Sequence, residues 1–369
     1  MDRANIVIIG AGVVGCAIAA AVARKWRDVV ILESLPVPGM ATSARSSGVI
    51  HSGIYYQPGS LKARHCLRGS ALTYEFCRAH GIPHRRTGKL VVATSDAEIS
   101  QLSALLARGA KNGVSSLRII DRIRIRELEP HVAGVVALEI PSTGILSTRD
   151  LVKAYVRVAQ DRGVRLLNGV STTGLEPVSQ GIRVSTPAGG FFTRCLINSA
   201  GLGAPEIAAL LGSPLASRRI YPVRGDYAEV ISSRREMVRG LVYPVPPAAG
   251  LSLGVHLTRT IQGSLLIGPT ALPIARIDDY DSPAPSMEEF ASLAAPLLPS
   301  ITAADLIPSY SGIRPRLTPS DDPRFSDFLI ERDPTIPAAI QLLGIESPGL
   351  TAAPSIAEQV TAMAEKILG

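Results

Sequence analysis

The chain has 369 residues, 46% hydrophobic and 19% charged, so it is long enough for two joined cores and too apolar to be disordered. Its formal net charge of +7 favours anionic small molecules or an anionic surface, but scattered Lys and Arg and only 4% aromatics argue against a nucleic-acid partner. Cys16, Cys66, Cys77 and Cys195 show no CxxC or other metal spacing and no dense disulfide framework, so no metal is expected and the thiols read as those of a reducing cytosol.

Residues 6–23, IVIIGAGVVGCAIAAAVA, are long and apolar enough to pass for a transmembrane helix, and AVA resembles a signal-peptidase site. Asp2 and Arg3 cancel, however, and the glycines fall at Gly10, Gly12 and Gly15, a G-x-G-x-x-G between a buried-strand run and an alanine-rich helix. Gly10 permits the tight turn, Gly12 lets backbone approach a pyrophosphate, and Gly15 lets helix pack closely on strand. The helix N-terminus then offers N–H groups and a positive dipole end to phosphates. The next strand, DVVILES, ends at Glu33, placed to bind a ribose hydroxyl pair. The beginning is therefore a dinucleotide cradle, and no transmembrane segment is expected.

The glycine fingerprint alone does not separate NAD from FAD. Instead of further alternating strands and helices, residues 35–60 read LPVPGMATSARSSGVIHSGIYYQPGS, the turn residues of a long ordered loop, and such loops in compact domains are usually functional. The stretch TSARSSGVIHSGIYYQPGSLKAR (42–64) resembles the flavin-wrapping loop of the D-amino-acid oxidase superfamily, most of all its L-2-hydroxyglutarate dehydrogenase/oxidase branch. YPVRGDYAEV (221–230), LVYPVP (241–246), LGVHLTRTIQGSLLIGP (253–269), SGIRPRL (311–317) and ESPGLTAAPSIAEQV (346–360) agree with it. SGIRPRL is nearer to the amino-acid-oxidase form of that motif.

The resemblance implies an α/β (α+β overall) architecture: a Rossmann-type FAD-binding domain assembled from 1–84, 146–214 and 311–369, and a mostly antiparallel-sheet substrate domain from 85–145 and 215–310. It assigns the cofactor FAD to Gly10, Gly12, Gly15 and Glu33, to Thr42, Ser43, Ser47 and Gly48 of the wrapping loop, and to Val170 near the adenine. Ala200 and Gly201 bring backbone to the cofactor again. Gly344 ends a late strand, and Pro348, Gly349, Leu350 and Thr351 open a C-terminal helix whose dipole faces the flavin ring. The pattern of residues itself supports an amphipathic helix from 148, helical spacing with a glycine stop over ISQLSALLARGAKNG, and strands at KLVVAT, GDYAEVIS, GLVYPV, LGVHLTRT and SLLIGPT.

Oxidation of a 2-hydroxy acid by hydride transfer to flavin N5 asks for a rigidly held substrate and an acceptor for the hydroxyl proton. An α-carboxylate suits a guanidinium fork, and Arg314 is the candidate the resemblance supplies. His51 and His256 compete as the base, since an imidazole titrates near working pH. Tyr56 and Arg259 are further candidates for substrate contact, and Arg224 for a second carboxylate. Lys62 and Arg64 could draw anions to the entrance, although a solvated helix face is the commoner explanation. The expected activity is thus FAD-dependent oxidation of an L-2-hydroxyglutarate-like acid. An amine or amino-acid oxidase on the same fold and a non-catalytic flavoprotein are the alternatives. The electron acceptor (oxygen, quinone or flavoprotein) is open, and the expected location is the cytoplasm, with peripheral contact at the inner membrane face compatible with the basic charge.

Overall fold

The apolar run after Met1 forms a strand, Asp2–Ile9, whose two faces are both covered. Ile6 and Ile8 pack with the helices Val13–Val22, Thr148–Gln160 and Gly349–Leu368, while Val7 and Ile9 pack against the hairpin side with Val184 and Phe191. Continuous rather than alternating hydrophobicity is what a strand buried on both sides requires. In the computed structural model, which describes residues 1–247, 253–319, 322 and 324–369, this strand lies in the middle of an eight-stranded sheet. Its parallel neighbours are Val29–Glu33 and Gly189–Asn198, and Ala339–Leu343 runs parallel to the far half of Gly189–Asn198.

A second, nine-stranded sheet is mostly antiparallel and draws on Leu90–Ala93, Arg118–Asp121, Val136–Glu139 and the strands between Tyr221 and Arg316. One face packs on the helix Met287–Ala294 through Leu257, Leu265 and Phe290. The other carries Val91, Leu241 and Tyr243 against the helix Ile99–Lys111. A short three-stranded sheet, Val49–Ile50 with Gly144–Leu146 and His84–Arg85, joins the wrapping loop to the body. Among the described residues no helix is long and apolar enough to cross a membrane, and no cluster of His, Cys, Asp or Glu could hold a metal ion.

One expected boundary shifts. A break at 311 would put SGIRPRL in the flavin unit, yet the strand Leu306–Arg316 is one continuous ladder partner of Tyr221–Val230, with Arg314 opposite Val223. Backbone hydrogen bonding ties Arg314 to the second sheet, and the chain returns to the first sheet only at Leu329–Arg332.

Candidate functional site

A cavity of about 1220 Å³ runs between the two sheets, larger than the roughly 300–1,000 Å³ of ordinary small-molecule sites. One end is formed by the glycine turn. Gly10 has φ +96°, and a side chain at Gly15 would meet the Gly10 carbonyl at 2.0 Å, so helix and strand approach as only glycine allows. Gly12 caps the helix without a side chain and lines the cavity, while the Val13 amide donates to Ser43 Oγ at 3.0 Å. Glu33, 8% exposed, accepts from the Ala11 amide at 2.7 Å and the Leu35 amide at 2.9 Å, which fixes its carboxylate at the cavity wall. Thr42, Ser47, Gly48, Val170, Ala200 and Gly201 line the same space.

At the other end Arg314, His51, His256 and Tyr56 meet, with Tyr55, Tyr227 and Tyr243 as further walls. His256 is held on two sides. Its Nδ1 lies 2.8 Å from the Gly254 carbonyl and so carries the proton, leaving Nε2 as an acceptor, and its ring stacks on Tyr243 at 3.7 Å. His51 has its amide on Thr351 Oγ1 and its Nε2 3.3 Å from Ser347 Oγ, while Nδ1 is buried without a partner. Burial, reinforced by the charges of Lys89 and Arg314, lowers both imidazoles to about 3. Arg314 has no ion-pair partner among the described residues. A guanidinium facing a cavity beside two uncharged imidazoles is a receptor for an anion.

Comparison with known proteins agrees with this geometry. The family described as DAO, FAD dependent oxidoreductase, matches residues 5–363. The chain belongs to the DAO family of FAD-dependent oxidoreductases. It is 35% identical to a mitochondrial L-2-hydroxyglutarate dehydrogenase of Arabidopsis thaliana over 97% of this chain and 83% of that protein. It is 30% identical to the L-2-hydroxyglutarate dehydrogenase of Escherichia coli K12, over 99% and 94%. An FAD-bound L-alpha-glycerophosphate oxidase from Mycoplasma pneumoniae superposes with a TM-score of 0.91 at 26% identity, covering 99% of this chain and 95% of that one. A glycine oxidase from Geobacillus kaustophilus shares the fold, with a TM-score of 0.83.

The residues fit FAD. A side chain on Gly12 would stand 3.4 Å from Ser43 Oγ, occupying the space where a diphosphate can approach the helix end, and the carboxylate of Glu33 is fixed for a ribose. The helix Gly349–Leu368 brings its N-terminus to the far end through Pro348, Gly349 and Leu350, all of which line the cavity.

Several expected FAD and substrate contacts are placed elsewhere. Gly344, at φ +69°, turns tightly against Leu317 and does not line the cavity, and Thr351 is fully buried, bracing the wrapping loop through the His51 amide and the Val49 carbonyl. Arg259 was expected to reach substrate. Instead it stands on the opposite face of the strand His256–Arg259, because side chains alternate and three positions separate it from His256; its guanidinium binds the Arg235 carbonyl and Glu236. Arg224 is fully buried against Asp226, at 3.0 Å, and the Pro283 carbonyl, so it is committed to the sheet. Lys62 is not on a solvated face: it forms a buried 2.7 Å pair with Glu346, and both line the cavity.

Two participants carry no signal in the sequence. Tyr243 reads as one more residue of a strand. Lys89 reads as a strand-edge lysine but is buried, with its Nζ 4.3 Å from the Tyr55 ring and 4.5 Å from the Tyr243 ring.

Proposed function

We propose that this flavoenzyme oxidises the hydroxyl-bearing carbon of a small L-2-hydroxy acid, 2-hydroxyglutarate being the leading candidate, to the 2-oxo acid. The names of its relatives support the substrate class, and the observation that carries it is the unpaired Arg314 guanidinium beside an imidazole with a free acceptor nitrogen.

FAD, when bound, supplies the acceptor for two electrons. Arg314 grips the α-carboxylate with parallel charge-assisted bonds and so fixes the orientation of the carbon to be oxidised. His256 accepts the hydroxyl proton at Nε2, its tautomer set by the Gly254 carbonyl. His51, at the N-terminus of the last helix, bounds the same space with Tyr55 and Tyr56, and these walls keep bulk water from the reacting carbon. The reading assigns the electrons onward to oxygen, a quinone or a flavoprotein. It places the enzyme in the cytoplasm, with a basic surface suited to peripheral contact with anionic lipid.

The test is anaerobic mixing of holoenzyme with L-2-hydroxyglutarate, other 2-hydroxy acids and 2-amino acids while flavin absorbance is followed. Bleaching by hydroxy acids is expected, and bleaching by amino acids alone would replace this reading with an amino-acid oxidase. Arg314→Ala should retain FAD and lose about 10²–10³-fold in kcat/KM, as loss of a bidentate charged contact implies. Full activity in that variant would show that the carboxylate is held elsewhere.

A further inference from the structure

The proton-accepting wall contains one buried charge that the chemistry above does not use. Lys89 is 2% exposed, its Nζ has no hydrogen-bond partner, and no carboxylate pairs with it among the described residues. A buried ammonium without an anion is destabilising, so apolar replacements would be favoured were nothing gained by keeping it. Its surroundings show what is gained. The ammonium lies between the rings of Tyr55 and Tyr243, at 4.3 and 4.5 Å, and Tyr243 is itself stacked on His256 with an interplanar angle of 17°. Ammonium, phenol and imidazole therefore form one layered column in the cavity wall.

The titratable groups that face Lys89 are these two phenols, the Cys66 thiol on the helix Leu61–Ala79, and the imidazoles of His51 and His256. Arg314 presents a second cation to the same imidazoles. Cys66 is buried and held in its thiol form, so it offers Lys89 no negative charge. The column and its neighbours thus hold cations and neutral groups only.

Resting on the hydroxy-acid reading above, the geometry points to Lys89 as a positioning residue: it holds the Tyr243–His256 column in place and adds its charge to the burial that keeps both histidines uncharged until a substrate carboxylate arrives. Burial lowers Lys89 to about 7, so its charge is present below neutrality, where an ordinary imidazole would take up a proton and cease to be an acceptor. A carboxylate docked on Arg314 reverses the local field. The imidazole then becomes basic when a hydroxyl proton is at hand, and not before.

The experiment uses holoenzyme of the wild type, Lys89→Met and Lys89→Arg. Two quantities are measured: the pH dependence of kcat/KM, and the titration of side-chain-labelled histidines by NMR with and without glutarate, an unreactive dicarboxylate. In Lys89→Met the acid limb of kcat/KM, and the titration of two of the six histidines, should move to higher pH by about tenfold in proton affinity. Lys89→Arg, which keeps the charge, should retain the wild-type limb. Glutarate should raise the same two histidines in the wild type. Unchanged limbs and titrations in folded Lys89→Met would overturn the assignment. So would a Lys89→Met protein that does not fold or bind FAD, since Lys89 would then be a structural residue. If hydroxy acids do not reduce the wild-type flavin, the functional reading falls. The histidine titration, which needs no turnover, still decides the role of Lys89.

Discussion

His256 has one nitrogen committed to the Gly254 carbonyl and the other facing the cavity, whereas neither nitrogen of His51 is fixed by a carbonyl. Replacing a general base lowers rate by about 10²–10⁴. His256→Gln is therefore expected to slow anaerobic flavin reduction by that factor, with FAD content and glutarate affinity near those of the wild type. A full rate in His256→Gln alongside a dead His51→Gln would transfer the role to His51. Both histidines could be picked out from the sequence because each sits in a loop or strand whose resemblance to relatives is specific. The place of Arg259 is not legible in the motif, because reach along a strand is visible there and the face a side chain takes is not. Positions 256 and 258 share one side and 257 and 259 the other, and Leu257 is in the core beneath. Lys89 was illegible for a different reason: nothing local to KLVVAT shows that Tyr55 and Tyr243, far along the chain, close over its ammonium.

At the scale of elements, the first strand, its glycine turn and its helix were readable because every requirement there is local. The strand is apolar throughout, the turn needs positive φ, and the helix packs on its own preceding backbone. The boundary near 311 depended instead on a ladder to Tyr221–Val230, a pairing that no short pattern announces. The buried Lys62–Glu346 pair joins a helix start to a late loop and was equally invisible. The local part gives a sharp prediction. An added methyl at Gly15 would stand 2.0 Å from the Gly10 carbonyl and 2.7 Å from Ser199 Oγ, both near the proposed diphosphate site. Gly15→Ala should destabilise by about 1–3 kcal/mol through overpacking and release FAD on desalting, read from the flavin-to-protein absorbance ratio. Gly174→Ala, where the nearest atom is Ser185 Cβ at 3.5 Å, serves as the control that should keep its flavin. Equal flavin retention in the two variants would show that close helix–strand approach is not what the cradle needs.

For the molecule as a whole, the same feature that shapes the chemistry sets a response to acid. His51 and His256 are lowered to about 3 in the fold, chiefly by burial, against about 6.5 in an unfolded chain. The unfolded state therefore binds protons that the folded state refuses, and stability must fall as pH drops from about 6.5 towards 3. The slope approaches about 1.4 kcal/mol per pH unit for each histidine. Lys89 is lowered in the same sense, but its contribution changes between its ordinary value near 10.5 and about 7 and is constant below that, so it adds no slope in acid. Carboxylates such as Asp322, held down to about 2 by Arg324, begin to contribute only as pH falls below about 4. Urea unfolding of the holoenzyme at intervals between pH 7 and 5 should thus show a steeper loss for the wild type than for the His51→Gln/His256→Gln double variant. Parallel losses in the two proteins would mean that the imidazoles take up protons in the fold as readily as in the unfolded chain. In that case burial and the charges of Lys89 and Arg314 would not hold the imidazoles uncharged, and the wall formed by Tyr243, His256 and Lys89 would need another role.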